Sequence, residues 1–198
     1  IVQYNGDIQA AGISTGRLGY GLASSYYVNP NWQLKTSYEL TNRVPTAFEL
    51  YGDVENQEAN ANLKPERSHN VNLGTQYGFR FLDDHKFHIN ANVIYRYSYD
   101  FIYNRLNNNQ SKLIAENREG VSTIGGDVDM RYSYRNLLSL GGNLTYQYLR
   151  NQQKYEPEYT GVSPVYLDRM PNIPYLFGNF DASVMFRDFV GKGNALNL

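Results

Sequence analysis

The chain has few groups that could carry out catalysis. Asp127 and Asp129 lie two residues apart in an alternating segment, so both should project from one face of a β-strand. Such a pair could act as general acid and base if the pKa of one carboxyl were raised. No apolar surroundings that would raise that pKa are evident in the sequence. We therefore interpret the pair as part of a hydrated polar wall.

The sequence also has few candidate residues for a metal site or a catalytic nucleophile. The three histidines are His69, His85 and His88, and the sequence has no Cys. A zinc site needs about four converging ligands, and no further ligand stands at a suitable spacing. No G-x-S-x-G segment is present to hold a nucleophilic serine. The sequence predicts no catalytic residue, no metal site and no cofactor, and we expect that the protein is not an enzyme.

The most distinctive segment runs from Arg43 to Ser68. It reads R-V-P-T-A-F-E-L-Y-G, then a polar spacer, then N-A-N-L-K-P-E-R-S. Pro45 and Pro65 lack a backbone donor and cannot occupy central positions of a strand ladder. Alternating sequence precedes and follows the segment, which predicts a long structured loop between two strands. We expect Glu49 and Glu66 to accept hydrogen bonds from loop amides or to form exposed ion pairs with Arg43, Lys64 or Arg67.

These two boxes resemble those of the TonB-dependent outer-membrane receptors. The family pattern R-x-P-[ST]-x-x-E-L-[YF] and then N-x-N-L-x-P-E-x-S is matched at Arg43, Pro45, Thr46, Glu49, Leu50, Tyr51, Asn60, Asn62, Leu63, Lys64, Pro65, Glu66 and Ser68. A weaker third match is Arg169, Pro171, Asn172 and Pro174. The resemblance implies structural roles for the box residues rather than catalytic or metal-binding ones. It also implies a barrel of 22 strands around an N-terminal plug, and uptake driven by TonB.

Strand patterning supports that resemblance independently. Between Phe87 and Phe101 the odd positions are almost all apolar or aromatic, and the even positions are almost all polar, with Ile94 the exception. This period of two is typical of a strand between lipid and a watery lumen. Six further segments show the same alternation and bring the predicted strands to about seven: 18–28, 32–40, 71–79, 127–134, 138–148 and 176–186.

The connections between the predicted strands alternate in length. Short turns are expected at 29–31, 80–86 and 135–136, and long ones at 43–66, 104–118 and 150–174. Outer-membrane barrels have short periplasmic turns and long extracellular loops. We predict an all-β fold, an antiparallel transmembrane β-barrel present as a partial barrel. A soluble β-sandwich, which would bury the Tyr-rich face as a core, is the alternative.

Length and composition limit the possible domain organisation and partners of the protein. The chain has 198 residues, a formal net charge of −1 and 19 Tyr, but no basic stripe that would favour nucleic acid. Seven strands are too few for the implied barrel. We expect residues 1–198 to be part of a single receptor barrel domain whose plug and remaining strands lie outside them. The resemblance implies the outer membrane of a Gram-negative bacterium, with its lipid and TonB of the TonB–ExbB–ExbD system as partners.

Two functions are consistent with the sequence. One is active uptake of a scarce ligand, a ferric siderophore or similar iron complex, or else cobalamin or a glycan. Tyr and Arg provide stacking and bidentate contacts to bulky polar ligands, and the candidate ligand contacts in the outer loops are Tyr103, Arg105, Tyr155, Tyr159, Tyr166 and Asp168. The alternative is a structural or adhesive, lectin-like β-domain at the cell surface.

Overall fold

The fold is a single large antiparallel sheet. The computed structural model describes residues 16–53, 55–135, 137–155, 160–187 and 191–198. Within them the strands are β1 (Tyr20–Asn29), β2 (Trp32–Arg43), β3 (Gln57–Glu58), β4 (Glu66–Phe81), β5 (His85–Leu106), β6 (Leu113–Tyr134), β7 (Leu138–Asn151), β8 (Leu176–Arg187) and β9 (Ala195–Asn197), with one short helix, α1 (Ala47–Tyr51). The sheet order is β1-β2-β4-β5-β6-β7-β8-β9, and β3 adds parallel to β6.

The seven predicted strands are confirmed as β1, β2 and β4 to β8. Neighbouring strands pair sequentially, and β1 and β9 form the two ends of the order, so the sheet is an unclosed partial barrel. The turns 30–31 and 82–84, together with residues 135 and 137, lie at one end of the sheet, which we call the turn side. The described residues of the connections 44–65 and 152–175 lie at the other end, the loop side. Among the described residues no helix has the length and apolar character needed to cross a membrane.

The predicted loop at 104–118 is wrong. β5 and β6 each run for 22 residues, and only residues 107–112 separate them. A strand of that length spans about 70 Å, whereas roughly 9–11 residues cross a membrane. The two strands therefore continue well beyond any bilayer as a paired hairpin. The tip is closed by Asn107, whose backbone N–H donates to the carbonyl of Lys112 at 2.8 Å.

One face of the sheet is apolar and open. Leu73, Val93, Ile124 and Leu144 project from it, and each is more than half exposed. Within the described residues no second sheet covers this face, so it does not form the core that a soluble sandwich requires. The exposed apolar band is the arrangement expected of a wall that faces lipid.

Aromatic rings border this band on both sides. The loop-side row consists of Tyr20, Tyr38, His69, Tyr99 and Tyr97, with successive ring centroids 4.8–6.1 Å apart. The turn-side row consists of Trp32, Tyr77, Phe79, Phe87, Tyr132, His85, Phe81 and Tyr134.

The spacing of the two rows matches a bilayer. Phe87 and Tyr97 lie ten residues apart on β5. That separation is about 33 Å along a strand, or about 25 Å along the membrane normal at a tilt of about 40°. The rows therefore mark the two membrane–water boundaries. Aromatic side chains are stable there because the apolar ring faces lipid while the polar hydroxyl or N–H group faces water.

Candidate ligand-facing wall and rim

The opposite face of the sheet is a hydrogen-bonded polar wall. Asn92 Nδ2 donates to Asp127 Oδ2 at 2.8 Å, and Asn72 Nδ2 donates to Ser37 Oγ at 2.9 Å. Each of these pairs bridges adjacent strands. The wall therefore presents amides, hydroxyls and carboxylates on the face opposite the apolar band, with their orientation fixed by neighbours.

Charged groups on this face also form hydrogen bonds to polar neighbours. Lys35 Nζ donates to Gln76 Oε1 at 2.9 Å, and Arg96 Nε donates to Asn70 Oδ1 at 2.6 Å. Asn70 in turn donates to Thr41 Oγ1 at 3.1 Å. These separate bonds are distributed from Gln76, towards the turn side, to Thr41, towards the loop side, so a solute moving along the wall meets polar groups over much of its length.

The two aspartates and the three histidines do not converge. Asp127 is bonded to Asn92, and Asp129 lies on the next rung, opposite Asn90. His69 Nδ1 and His85 Nδ1 each share a hydrogen bond with a tyrosine hydroxyl in one of the aromatic rows. Among the described residues no group of three or more His, Cys, Asp or Glu could hold a metal ion.

A capped helix begins the loop-side rim, by which we mean connections 44–65 and 152–175 and the part of the β5–β6 hairpin that they contact. Thr46 precedes α1 and accepts a hydrogen bond from the Glu49 backbone N–H at 3.2 Å. Glu49 Oε2 accepts one from the Thr46 backbone N–H at 2.8 Å. This capping box fixes the start of a helix of only five residues, which is too short to be stable from propensity alone. The T-x-x-E spacing of the first box thus encodes the helix.

Arg43 connects this helix to the sheet. Its guanidinium lies 3.1 Å from Glu49 Oε1 and 3.4 Å from Glu66 Oε2. The predicted pairing is confirmed, but the predicted exposure is wrong: the side chains of Glu49 and Glu66 are only 13% and 9% exposed. Burial by itself would raise the pKa of Glu49, but hydrogen bonds from Thr46 and the charge of Arg43 hold that pKa below its ordinary value.

The rest of connection 44–65 is tied to the β5–β6 hairpin. Asn60 Nδ2 donates to the Ala115 carbonyl at 2.8 Å. Asn117 Oδ1 accepts from the Lys64 N–H at 2.8 Å, and Asn117 Nδ2 donates to the Lys64 carbonyl at 3.0 Å. At Gly52 the backbone has φ +68°, and a Cβ would meet the Gln57 carbonyl oxygen at 2.4 Å, so only glycine fits there.

The box residues thus have structural positions. Pro45 lies just before α1, and Leu50 lies within it. Asn62, Leu63 and Pro65 lie in the segment that leads into β4. Together they bring the chain back to the sheet at Glu66.

The hairpin changes its facing direction at Asp100, where φ is +50°. Before this residue, even-numbered side chains such as Arg96 lie on the polar wall. After it, the odd-numbered Phe101 and Tyr103 pack on a small core of Val121, Leu149 and Met170. Asp is among the residues that tolerate the left-handed conformation this reversal needs.

Two of the candidate ligand contacts therefore lie on a strand rather than in a loop. Tyr103 and Arg105 belong to β5. The Tyr103 hydroxyl donates to the Pro171 carbonyl at 3.3 Å. Arg105 binds Glu116 through two nitrogens, at 2.5 and 2.7 Å. Tyr103 faces connection 152–175, whereas Arg105 stabilises the hairpin near its tip.

The other candidates belong to connection 152–175. The Asp168 carbonyl accepts from the Asn151 N–H at 2.9 Å, and the Met170 N–H donates to the Leu149 carbonyl at 2.9 Å. This part of the connection therefore runs back along β7. Tyr166 donates its backbone N–H to Ser163, and Tyr155 is 60% exposed. Tyr159 lies outside the described residues.

Two residues that sequence reasoning missed complete this region. Met170 is 4% exposed, and Ile173 packs on the same core. Both lie within the third box, in which Pro171 and Pro174 interrupt the ladder between the Met170 contact and β8. The box was identified by its prolines, whereas the apolar residues between them carry the packing.

Comparison with known proteins gives one family and two structural likenesses. A family described as "TonB dependent receptor-like, beta-barrel" matches residues 3–195. The copper transporter OprC has 18% identity and a TM-score of 0.63, over 85% of this chain and 24% of that one. The FrpB iron transporter from Neisseria meningitidis (F3-3 variant) has 15% identity and a TM-score of 0.55, over 89% of this chain and 25% of that one. No curated protein matches. The chain spans about a quarter of these two structures.

Proposed function

Because the chain belongs to the TonB-dependent receptor-like β-barrel family, we propose that it forms part of the barrel of a receptor that imports a scarce ligand. The family is that of the outer membrane of Gram-negative bacteria. Residues 1–198 would contribute to one barrel domain, with further strands and a plug supplied by the remainder of the receptor.

The observation that carries this proposal is the two-sided wall. An apolar band between two aromatic rows covers one face, and a hydrogen-bonded polar network covers the other. The polar network leads to the loop side, where both long connections fold onto the β5–β6 hairpin. A wall of this kind supports passage of a polar solute across a membrane.

The ligand we propose is a ferric siderophore or similar iron complex, with cobalamin or a glycan as alternatives. Both similar structures are transporters, one of copper and one of iron. Tyr155, Tyr166 and Asp168 lie in a connection that folds back along β7 towards the polar wall. A tyrosine can stack its ring on a bulky metal chelate and bond to it through its hydroxyl. Tyr103 and Arg105 would act by supporting that connection and the hairpin.

Movement of such a ligand would be driven from the inner membrane. We propose TonB of the TonB–ExbB–ExbD system as the partner, acting through the plug. The family comparisons are to transporters rather than to enzymes. The proposed role is therefore binding and transport, without turnover of the ligand.

Deletion of the receptor in its own bacterium tests this function. Uptake of iron-55 chelates, labelled cobalamin and labelled oligosaccharides would be measured with and without a TonB deletion. We expect uptake of one ligand class to be lost when either the receptor or TonB is deleted, and to be restored by the wild-type receptor only in the strain that keeps TonB. A double variant, Tyr155→Ala with Tyr166→Ala, should weaken uptake while heat-modifiability on a gel shows a folded barrel. Unchanged uptake of all three classes would contradict the proposal.

A further inference from the structure

A notch interrupts the apolar face of the sheet at β7. Gly142 lies on this strand, directly opposite Met130 of β6 on one side and Phe180 of β8 on the other. Along β7 it lies between Leu140 and Leu144, which share its face because residues two apart in a strand point the same way. These four side chains help to enclose a volume of about 520 Å³, which we call the Gly142 notch. Both strands that flank β7 lie within the described residues, so the notch has walls on each side.

The backbone at Gly142 does not itself require glycine. A Cβ at this position would lie 3.5 Å from the Asn179 carbonyl oxygen and 3.6 Å from the Phe180 ring, which are ordinary contact distances. At Gly178 on the next strand, by contrast, a Cβ would collide with the Asn143 carbonyl oxygen. Glycine weakens the interior of a strand, and it often marks a site that a ligand approaches closely. What glycine provides at position 142 is therefore space above the strand.

The depth of the notch matches one leaflet of the bilayer. Leu138 is the first residue of β7, four residues from Gly142, and it lies opposite Tyr134 of the turn-side row. Four residues are about 13 Å along a strand, or about 10 Å along the membrane normal at a tilt of about 40°. One leaflet contributes about 15 Å of hydrocarbon. The acyl chains of the turn-side leaflet therefore reach the notch.

A charged pair lies at the turn-side end of the same strands. Arg135 directly follows β6, and its guanidinium carbon lies 5.4 Å from the centre of the Tyr134 ring. Arg135 Nη2 donates to Asp84 Oδ2 at 2.8 Å, and both side chains are partly exposed. Among the described residues, Asp84 Oδ1 and the Nε and Nη1 donors of Arg135 have no hydrogen-bond partner. The pair therefore offers an anion site and a cation site side by side, at the level of the lipid head groups.

We propose that the Gly142 notch and this charged pair together bind one phosphatidylethanolamine molecule of the turn-side leaflet. An acyl chain fills the notch, the phosphate accepts hydrogen bonds from Arg135, and the ammonium donates to Asp84. Phosphatidylglycerol has a net negative charge and no ammonium, so Asp84 disfavours it. Phosphatidylcholine has no N–H group to donate to the carboxylate. The inference rests on the outer-membrane setting of the wall, and not on which ligand the receptor imports.

Photo-cross-linking of the intact receptor in phosphatidylcholine vesicles tests the acyl part of the site. The reagent is a trace of phosphatidylethanolamine that carries a diazirine in the middle of one acyl chain, and peptide mass spectrometry locates the labelled residues. We expect labelling to concentrate on Met130 and Phe180. Gly142→Ile should reduce it about tenfold, because filling the notch withdraws about two methylene groups of the chain from contact. Gly142→Ala should reduce it less. Thr36→Leu is the matched control, because Thr36 lies opposite Leu73 on the same face, four strands away.

Competition between unlabelled lipids with identical acyl chains tests the head-group part. Phosphatidylethanolamine should displace the reagent at an about fivefold lower mole fraction than phosphatidylcholine or phosphatidylglycerol, the size of effect expected of an exposed charged pair. Arg135→Gln should abolish this discrimination. Asp84→Asn should shift the preference towards phosphatidylglycerol, because the guanidinium is then left without its carboxylate. Heat-modifiability on a gel would confirm that each variant forms a folded barrel.

Three outcomes would overturn the proposal. One is labelling spread evenly over the apolar face, or reduced equally by Gly142→Ile and Thr36→Leu. The second is equal competition by the three lipids, which would leave only unselective contact with acyl chains. The third is a receptor dimer in native mass spectrometry that Gly142→Ile dissociates, because the notch would then hold a second copy of the chain. If Gly142→Ile does not fold, Gly142→Ala repeats the comparison. Ligand uptake is measured separately, so failure of this proposal leaves the proposed transport function untouched.

Discussion

The membrane-spanning part of the sheet and its loop-side rim are built in different ways. In the spanning part, each side chain's surroundings follow from whether its position is odd or even. In the rim, order depends on individual contacts, such as Arg43 with two carboxylates and Asn117 with Lys64. The stability of the spanning part should therefore tolerate many substitutions that keep a residue polar or apolar. The stability of the rim should instead be sensitive to the loss of a single contact.

The largest effect should come from a charge placed on the apolar face. Val93 projects into the band between the aromatic rows and is 55% exposed. Val93→Arg should lower the free energy of unfolding by about 2–4 kcal/mol, because lipid cannot solvate the guanidinium at this depth. Asn92→Arg, one residue away on the polar face beside Asp127, should cost much less. Urea unfolding of the receptor in lipid vesicles would measure both, and equal losses would contradict the assignment of the faces.

A smaller effect is expected in the rim. Arg43→Gln removes the cation shared by two mostly buried carboxylates. The rim should lose about 1–2 kcal/mol of local stability, while barrel unfolding is unchanged. Hydrogen exchange of the amides in α1 and at Lys64 would report the loss.

Arg135→Gln is the matched control for this change. It breaks the ion pair with Asp84, whose members are 61% and 41% exposed, and should leave stability almost unchanged, because solvent screens an exposed pair. Comparable losses at the two sites would show that burial of the carboxylates has no energetic consequence.

The rim should also respond to acid. The pKa of Glu49 is held below its ordinary value, so its ionised form favours the folded rim. Its contribution should be complete above the ordinary pKa of about 4.3, and should be lost as the pH falls through the lowered pKa of the folded rim. The chain has no Cys, so a spin label at Tyr51→Cys can follow rim order, with mobility rising only at low pH. The added substitution Glu49→Gln should remove that dependence; a transition unaffected by it would exclude Glu49.

The smallest effect concerns the contact between hairpin and connection. The hydroxyl of Tyr103 donates to Pro171 over 3.3 Å, a long hydrogen bond. Tyr103→Phe should cost about 0.5 kcal/mol and should speed exchange of the Met170 amide slightly. Tyr103→Ala, which also removes packing on the core of Val121, Leu149 and Met170, should have a clearly greater effect. Equal effects would mean that the ring contributes nothing.

The same contrast explains what could be predicted from the sequence. Period-two alternation identified all seven long strands, because lipid and water impose it on every position. It failed at 104–118, where both faces of the hairpin meet protein loops and polar residues such as Glu116 and Asn117 interrupt the pattern. The boxes predicted the pairing of Arg43 with Glu49 and Glu66. They did not predict that Glu66 also accepts a hydrogen bond from the backbone N–H of Ile102 on the hairpin, which lies far away in the sequence.

The reversal at Asp100 has a consequence for local unfolding. It turns Phe101 and Tyr103 towards connection 152–175, while connection 44–65 is bonded to the backbone of the same hairpin through β3 and Asn60. Neither connection can detach without exposing a surface of the same two strands, so their opening free energies should be linked. The amides of Lys64 and Met170, one in each connection, should then exchange with hydrogen isotopes at similar rates, as members of one cooperative unit.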